Sequence, residues 1–129
     1  MELPLIAVSE LEIQRLSPAA WAYLGDAVYE LYIRNWYLLP PKRPQKYHQQ
    51  VVAQVRAESQ AQHLQRLTPY LTPIELEIAN RGRNAAFGRP KRLDPEIYQQ
   101  ATSFETLIGY LYIKDPQRLT QLFAYLDLA

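Results

Sequence analysis

The chain of 129 residues has 48% hydrophobic side chains and a net charge of only +1, which fits one domain with its own core and excludes an intrinsically disordered chain. It has no cysteine, which excludes a disulfide framework, a thiolate zinc site and a cysteine nucleophile. No apolar run approaches the roughly 18 residues of a membrane span, and the start at Met1 lacks the basic and apolar regions of a signal peptide. We therefore expect a cytoplasmic protein of a single domain, residues 1–129, with no membrane partner.

The first third of the chain predicts a short helix and a long one. The short helix covers Ser9 to Arg15, where Ser9 and Glu12 have the spacing of a capping box. The long helix runs from Ser17, a good N-cap followed by proline, to Leu39. It must end there because the prolines that follow cannot continue it.

The middle of the chain predicts two more helices and a loop. A helix from about Gln45 to Leu67 has alanines spaced four apart, which permit close packing against another helix. The next helix begins at Thr72, where Glu75 completes a capping box, and ends at Gly82 in a left-handed C-cap. Residues 82–93 contain glycine and proline that break regular structure, so we expect a loop there.

Two helices are predicted in the last third. Asp94 caps the first, whose apolar residues recur at spacings of four and three, and Thr102 could begin a new turn within it. Asp115 caps the second, with Leu119, Leu122, Phe123 and Leu126 at its buried positions. No segment has the period of two that is typical of a strand, so the sequence predicts an all-α fold with five main helices.

Charge is distributed unevenly along the chain. Residues 42–92 hold ten of the fourteen Lys and Arg residues but only three acids, a balance of +7, whereas the flanking segments have a balance of −6. A basic middle separated from acidic flanks is what a phosphate-binding surface beside a cation site requires. The alternative is an ordinary solvated surface with chance clustering.

The pair Gly25-Asp26 interrupts an otherwise well-formed helix. Both residue types are unfavourable in a helix interior, the glycine by about 1 kcal/mol relative to alanine. Breaks of this kind often mark functional sites. The alternative is a close helix contact at Gly25 with Asp26 simply solvated. Glu30 lies one turn further on, and we favour its pairing with Arg34 over a role behind a metal site.

A second acidic stretch lies near the C-terminus and contains Glu105. Thr102 and Glu105 have the spacing of a capping box, so the carboxylate could serve only a backbone N–H. Gly109, one turn further on, would leave open space beside Glu105 and so favours a ligand site there.

Three motifs together resemble the ribonuclease III catalytic domain. They are LGDAVYE at residues 24–30, RGRNA at residues 81–85 and TSFETLIGYLY at residues 102–112. The resemblance is closest to the compact Mini-III ribonucleases, which consist of this domain alone, and runs from about Leu16 to Leu126. It implies an all-α helical bundle of the ribonuclease III type without a separate double-stranded-RNA-binding domain.

The resemblance also implies the chemistry. In this family the two acidic motifs supply an aspartate and a glutamate to a magnesium site, which here are Asp26 and Glu105. Magnesium usually takes one or two carboxylates together with water and phosphate oxygens, and Mn²⁺ can substitute for it. The implied activity is endonucleolytic cleavage of double-stranded RNA, with the 23S ribosomal RNA precursor as the leading substrate.

The expected partners are RNA and a second copy of the chain. Double-stranded RNA is recognised mainly through its shape, phosphates and 2′-hydroxyls, for which a basic loop is suitable. The side chains expected to bind it are Arg81, Arg83, Asn84, Arg89, Lys91 and Arg92. The first long helix is rich in aromatic residues, more than one small core needs, and in the family this helix meets its two-fold mate. We therefore expect a homodimer with Tyr23 at the contact.

The sequence departs from the larger family members at two positions. They carry acids where this chain has Ala22 and Thr102, and the compact subfamily shares the departures, which put the number and affinity of bound metals in doubt. Neither histidine has the spacing of a helical metal pair, and no role is assigned to His48.

Two rival functions remain open from the sequence. The first is a non-catalytic RNA-binding member of the same fold, which would need neither Asp26 nor Glu105. The second is a helical protein-interaction domain, which the +7 central segment disfavours.

Overall fold

The computed structural model describes residues 7–86, 88 and 90–128, and these are almost entirely helical. Seven α-helices and one 3-10 turn at Thr68–Tyr70 occur in the described residues, and no strand does, so the predicted all-α class is confirmed. The α-helices are α1 (Glu10–Arg15), α2 (Pro18–Trp36), α3 (Pro44–Val55), α4 (Ala57–Leu67), α5 (Pro73–Ala85), α6 (Pro95–Lys114) and α7 (Pro116–Ala124). None of these helices is long and apolar enough to cross a membrane.

The helix starts follow from local sequence. The predicted caps Ser9, Ser17, Thr72, Asp94 and Asp115 each accept a backbone N–H from the first turn of the helix that follows. These side chains satisfy donors that the first turn of a helix leaves without partners. The capping boxes predicted at Ser9 and Thr72 are both present.

The prediction of one helix from Gln45 to Leu67 is wrong. The chain bends at Arg56, whose ψ of 157° is extended, so that α3 and α4 are separate helices. Two side chains from α4 bond to carbonyls at the end of α3: Ser59 Oγ donates to Ala53 O, and Gln60 Nε2 donates to Val55 O at 2.9 Å. The bend is therefore stabilised by side chains that satisfy carbonyls a continuous helix would have used.

The predicted C-cap at Gly82 is also wrong. Helix α5 continues through Gly82 to Ala85, so the loop before α6 begins later than predicted. Gly82 is buried against α6, and a Cβ there would lie 2.3 Å from Thr106 Oγ1. Gly82 therefore allows α5 to pack closely on α6, and it does not end the helix.

Helices α2 and α6 cross with their backbones in contact. A Cβ on Gly25 would lie 1.8 Å from the carbonyl oxygen of Glu105, and a Cβ on Gly109 would lie 1.8 Å from that of Trp21. The expected open space beside Gly109 does not exist, and the interpretation of Gly25 as a close helix contact is correct. Only glycine permits such an approach, because any side chain would occupy the space of the opposite backbone.

The aromatic side chains of α2 mostly belong to the core. Trp21 and Tyr29 are buried, and Tyr32 stacks on Phe123 of α7 with ring centroids 4.2 Å apart. Of the aromatic residues of α2 that we expected to exceed the needs of the core, Tyr23 lies outside it, with 86% of its surface exposed. All four positions predicted as buried on α7 and just after it are buried.

Candidate active site

The α2–α6 crossing brings the two predicted acids together. Asp26 follows Gly25 on α2, and Glu105 precedes Gly109 by one turn on α6. Because the backbones of the two helices touch at these glycines, the Asp26 and Glu105 side chains line the same cavity. Two carboxyl groups from different helices thus lie in one cavity, and the described residues that line it include no lysine or arginine.

The environment of Glu105 opposes its ionisation. Partial burial, followed by the neighbouring Asp26 carboxyl, raises the pKa of Glu105 to about 8, while the side chain of Gln60 acts in the opposite direction. Burial disfavours the charged form, and a second carboxylate adds like-charge repulsion. Asp26 is exposed to solvent, whereas Glu105 is half-buried. Glu105 therefore holds a proton near neutral pH unless a cation replaces it.

Both carboxyl groups open into one cavity of about 270 Å³. The cavity lies between α2, the end of α5 and α6, and its lining residues are Pro18, Ala19, Ala22, Tyr23, Asp26, Gly82, Ala85, Ala86, Tyr98, Thr102 and Glu105. Ala22 and Thr102, which stand where larger relatives carry acids, both line it. Within the described part of the chain, no group of three or more His, Cys, Asp or Glu side chains is arranged to hold a metal.

The donor set nevertheless fits one magnesium ion. Two carboxylates are a usual protein contribution to such a site, and water and phosphate oxygens supply the other ligands. The cavity has room for several water molecules beside the carboxylates. A cation placed there would also offset the repulsion that raises the pKa of Glu105.

Glu105 is not a helix cap. Helix α6 begins at Pro95 with Asp94 as its N-cap, and Thr102 lies in the middle of the helix, where its carbonyl accepts the Thr106 hydroxyl at 2.7 Å. The suggestion that Thr102 begins a new turn is therefore wrong. The carboxylate of Glu105 is left available for a ligand.

Glu30 and His48 lie away from the paired acids. Glu30 forms the predicted ion pair with Arg34, at 2.6 Å between Oε2 and Nη2. His48 is exposed, and together with this ion pair it borders a different cavity of about 210 Å³. Neither residue lines the cavity of Asp26 and Glu105.

The predicted basic residues divide between a helix and a loop. Arg81, Arg83 and Asn84 belong to the last turns of α5, so the prediction that the loop already begins at residue 82 is wrong for Arg83 and Asn84. The Arg81 guanidinium lies over the Trp21 ring, 5.1 Å from its centroid. Arg83 donates to both carboxylate oxygens of Glu96, at 2.8 and 2.6 Å. This pairing raises the pKa of Arg83 and lowers that of Glu96.

The other predicted RNA-binding residues that the structure describes lie on the surface. Asn84, Lys91 and Arg92 are exposed, and the last turn of α5 borders the cavity through Gly82 and Ala85. Arg89 lies outside the described residues. Arg81, Arg83 and Asn84 therefore lie on the helix end that borders the cavity, although none of them lines it, and Lys91 and Arg92 lie on the loop that follows.

Sequence reasoning missed one buried polar residue that affects the acids. Gln60 of α4 is only 3% exposed, and its amide lowers the pKa of Glu105 against the larger effect of burial. The only signal was a polar residue at helical spacing from Leu64 and Leu67, on the apolar stripe of α4.

The chain matches the model of the ribonuclease III domain family over residues 19–116. It is 56% identical over 116 residues to a protein named Mini-ribonuclease 3 from Synechocystis, which covers 90% of this chain and 81% of that protein. The Mini-ribonuclease 3 of Gloeobacter violaceus is 50% identical over 109 residues, covering 84% of this chain and 81% of that protein.

A solved structure agrees with these sequence comparisons. A crystal structure of a protein from Fusobacterium nucleatum superposes with a TM-score of 0.80 at 27% identity, covering 87% of this chain and 92% of that one. The family match and the shared helical fold define the class of this chain as a ribonuclease III-type endonuclease domain. The chain belongs to the ribonuclease III family, and within it to the Mini-ribonuclease 3 proteins, so it is an endoribonuclease.

Proposed function

We propose that the chain is a magnesium-dependent endoribonuclease that cleaves double-stranded RNA, with Asp26 and Glu105 as the metal ligands. The observation that carries this proposal is that both carboxyl groups line one cavity at the α2–α6 crossing. Both open into a cavity whose other walls are small or aromatic side chains. A purely RNA-binding module would gain nothing from two facing acids beside a phosphate backbone.

Asp26 and Glu105 would hold the metal from opposite helices. When bound, Mg²⁺ would lower the pKa of a coordinated water and stabilise charge on the phosphodiester oxygens. The two carboxylates contribute negative charge and fixed positions, and the backbone contact between Gly25 and Glu105 limits how far they can separate. Ala22 and Thr102 leave the cavity without the further acids of larger relatives, which favours a single ion held by two carboxylates.

RNA would be held by the end of α5 and the following loop. Arg81, Asn84, Lys91 and Arg92 are exposed there, and Arg83 adds a further cation that is partly balanced by Glu96. Contacts of this kind read phosphates without regard to sequence and give salt-dependent affinity. We assign Arg89 to the same surface from the sequence alone.

We further propose a homodimer that acts on ribosomal RNA precursors in the cytoplasm. Tyr23 is a large, exposed aromatic side chain at the rim of the cavity, which suits a contact between two copies. Two sites related by a two-fold axis could cut both strands of a duplex. The 23S precursor is the leading substrate because of the similarity to the compact subfamily.

The decisive experiment is incubation of the purified chain with long double-stranded RNA. We expect fragments to appear with Mg²⁺ and none with excess chelator. Single-stranded RNA of the same sequence is the control for substrate class. Cleavage that continues unchanged in chelator, or that prefers the single strand, would contradict the proposal.

A further inference from the structure

Arg81 of α5 lies over the ring of Trp21 on α2. Its guanidinium carbon is 5.1 Å from the ring centroid, within the range over which an aromatic face attracts a cation. Trp21 is only 1% exposed, and Tyr110 packs edge-on against it with ring centroids 5.2 Å apart. The indole is therefore fixed in the core, whereas the arginine that covers it is exposed to solvent.

The positive charge of Arg81 is not balanced by an acid of the protein. Glu77 precedes Arg81 by four residues on α5, a spacing at which opposite charges commonly pair. Among the described residues, however, Arg81 forms neither an ion pair nor a hydrogen bond. Arg83, two residues further on, donates two hydrogen bonds to Glu96. Arg81 thus keeps its charge and its N–H donors for a group outside the chain.

The contact between Trp21 and Arg81 lies next to the cavity of the two acids. The residues that follow them in the chain, Ala22 and Gly82, both line that cavity, although Trp21 and Arg81 do not. The contact therefore joins α2 to α5 where these two helices form the cavity wall. A phosphate bound by Arg81 would lie beside the cavity.

Holding an arginine in place before its ligand arrives increases affinity. A free arginine side chain samples many rotamers, and ordering it on binding opposes association. An aromatic face restrains the guanidinium without neutralising it, whereas a carboxylate would do both. Trp21 is thus suited to orient Arg81 for an anion.

We propose that Trp21 is a positioning residue that holds Arg81 ready to bind a phosphate of the double-stranded RNA backbone. Trp21 acts through Arg81 and does not itself contact RNA. This inference rests on the proposed function, because it presumes that RNA crosses the end of α5.

The test measures RNA affinity in Trp21→Leu, Arg81→Ala and the double variant. A double-stranded RNA is titrated in chelator at several salt concentrations. We expect Trp21→Leu to weaken binding roughly 2- to 10-fold, the cost of ordering one long side chain. Its slope of log affinity against log salt should not change, because the phosphate contact still forms. Arg81→Ala should reduce that slope by about one. Adding Trp21→Leu to Arg81→Ala should cause no further loss.

Phe123→Leu is the matched control for the loss of a buried aromatic side chain. Phe123 is 5% exposed on α7 and does not line the cavity of the acids. Its substitution should leave RNA affinity per folded molecule unchanged, even if the unfolding midpoint falls as much. Trp21→Phe keeps an aromatic face under Arg81 and should recover part of the lost affinity.

Three results would overturn the role of Trp21. They are unchanged affinity in Trp21→Leu, an equal loss in Phe123→Leu, and losses from Trp21→Leu and Arg81→Ala that simply add. If Trp21→Leu does not fold, NMR of the unchanged chain replaces it. The Trp21 ring current should displace the Arg81 side-chain resonances from ordinary arginine positions, and they should stay displaced when RNA binds. Ordinary positions, in the free or the bound chain, would contradict the proposal.

The proposed function can fail separately. Absence of cleavage of double-stranded RNA by the unchanged chain would overturn the proposed function. Intact cleavage with unchanged RNA affinity in Arg81→Ala would instead overturn the role of Trp21 alone, because Trp21 would then have no phosphate-binding arginine to position.

Discussion

Gly25 and Gly109 face the backbone of each other's helix so closely that a methyl group on either would lie 1.8 Å from a carbonyl oxygen. Gly25 packs against the backbone carbonyl of Glu105 itself. The contact between α2 and α6 therefore also fixes where the backbone of Glu105 lies along α2, next to Asp26. The same backbone contact stabilises the fold and positions one of the two acids, so substitutions at the crossing should affect both stability and cleavage.

The first prediction concerns this crossing. Gly25→Ala and Gly109→Ala should each lower the free energy of unfolding by about 3 kcal/mol, the upper end of what overpacking usually costs. The added methyl group would clash with the backbone of the opposite helix, which cannot move aside as a side chain could. Each should also reduce cleavage strongly, since the helices must separate. Chemical denaturation and cleavage assays measure the two effects.

Gly88→Ala is the control for the crossing. Gly88 has φ +75°, and a methyl group added there would have no atom within 4 Å, so alanine costs about 1–2 kcal/mol of backbone strain without a clash. Cleavage per folded molecule should be retained. Full activity in Gly25→Ala would contradict the link between the crossing and the site.

The second prediction concerns the acids. Asp26→Asn or Glu105→Gln should lower kcat by orders of magnitude, and the double variant should lose little more, because residues that act as a unit are non-additive. RNA binding without metal should persist in both variants, and Asp26→Asn should tighten it slightly because it removes a negative charge near the phosphates. Glu105→Gln should change it little near neutral pH, because the pKa of Glu105 is raised to about 8 and the metal-free side chain already holds a proton. Single-turnover cleavage and gel-shift titration are the measurements, and independent additive losses would argue against a shared ion.

The third prediction concerns pH in the absence of metal. The pKa of Glu105 is raised to about 8 by burial and by Asp26, against an ordinary value of 4.5, so the folded chain binds the extra proton and gains stability as pH falls from 8 towards 4.5. Burial and Arg66 lower the pKa of His63 to about 4 from 6.5, so protonation of the unfolded chain removes stability as pH falls from 6.5 towards 4.

Between pH 8 and 6.5 only the first of these effects operates. The unfolding midpoint of the metal-free chain should therefore rise as pH is lowered from 8 to 6.5 and level off or fall below that. Thermal melts in chelator measure it. Glu105→Gln should abolish the rise, and a rise that survives this substitution would assign it to another group.

The fourth prediction separates two arginines of α5. Arg81→Ala should weaken RNA binding and reduce the slope of log affinity against log salt by about one, as expected for one lost phosphate contact. Arg83→Ala should have a smaller effect, because Glu96 already balances much of its charge through two hydrogen bonds. Binding titrations at several salt concentrations test this, and an unchanged slope in both variants would place the RNA elsewhere.

The fifth prediction concerns the second copy. Tyr23→Glu should convert a dimer to a monomer, because a two-fold contact would bring two buried carboxylates together. Leu39→Glu is the control, since Leu39 is comparably exposed but follows the opposite end of α2. Light scattering at micromolar concentration gives the mass, and a monomeric unchanged chain would contradict the prediction.

Features set by neighbours in sequence were predictable. The caps at Ser9, Thr72 and Asp94 depend on residues two or three positions apart, and all are present. The Glu30–Arg34 pair depends on one helical turn and also exists. The approach of Asp26 to Glu105 was expected from family resemblance, because no local pattern relates residues so far apart.

Features set by tertiary packing were not predictable. The sequence predicts a helix end at Gly82 and open space at Gly109. In the structure each of these glycines instead packs closely against another helix. The bend at Arg56 depends on Ser59 and Gln60 reaching carbonyls of α3, which a periodic apolar pattern does not reveal.

The glycine crossing also bears on how this enzyme could be engineered. Because touching backbones set how far the two helices can separate, side-chain changes around Leu119 and Leu122 of α7, which do not line the cavity of the acids, should alter melting temperature with little effect on the acids. Stabilising libraries can therefore be concentrated on that layer, leaving the crossing fixed. The melting temperature and the geometry of the active site could then be changed independently. Sites built on loops rarely permit this, because loops hold side chains less precisely than helices do.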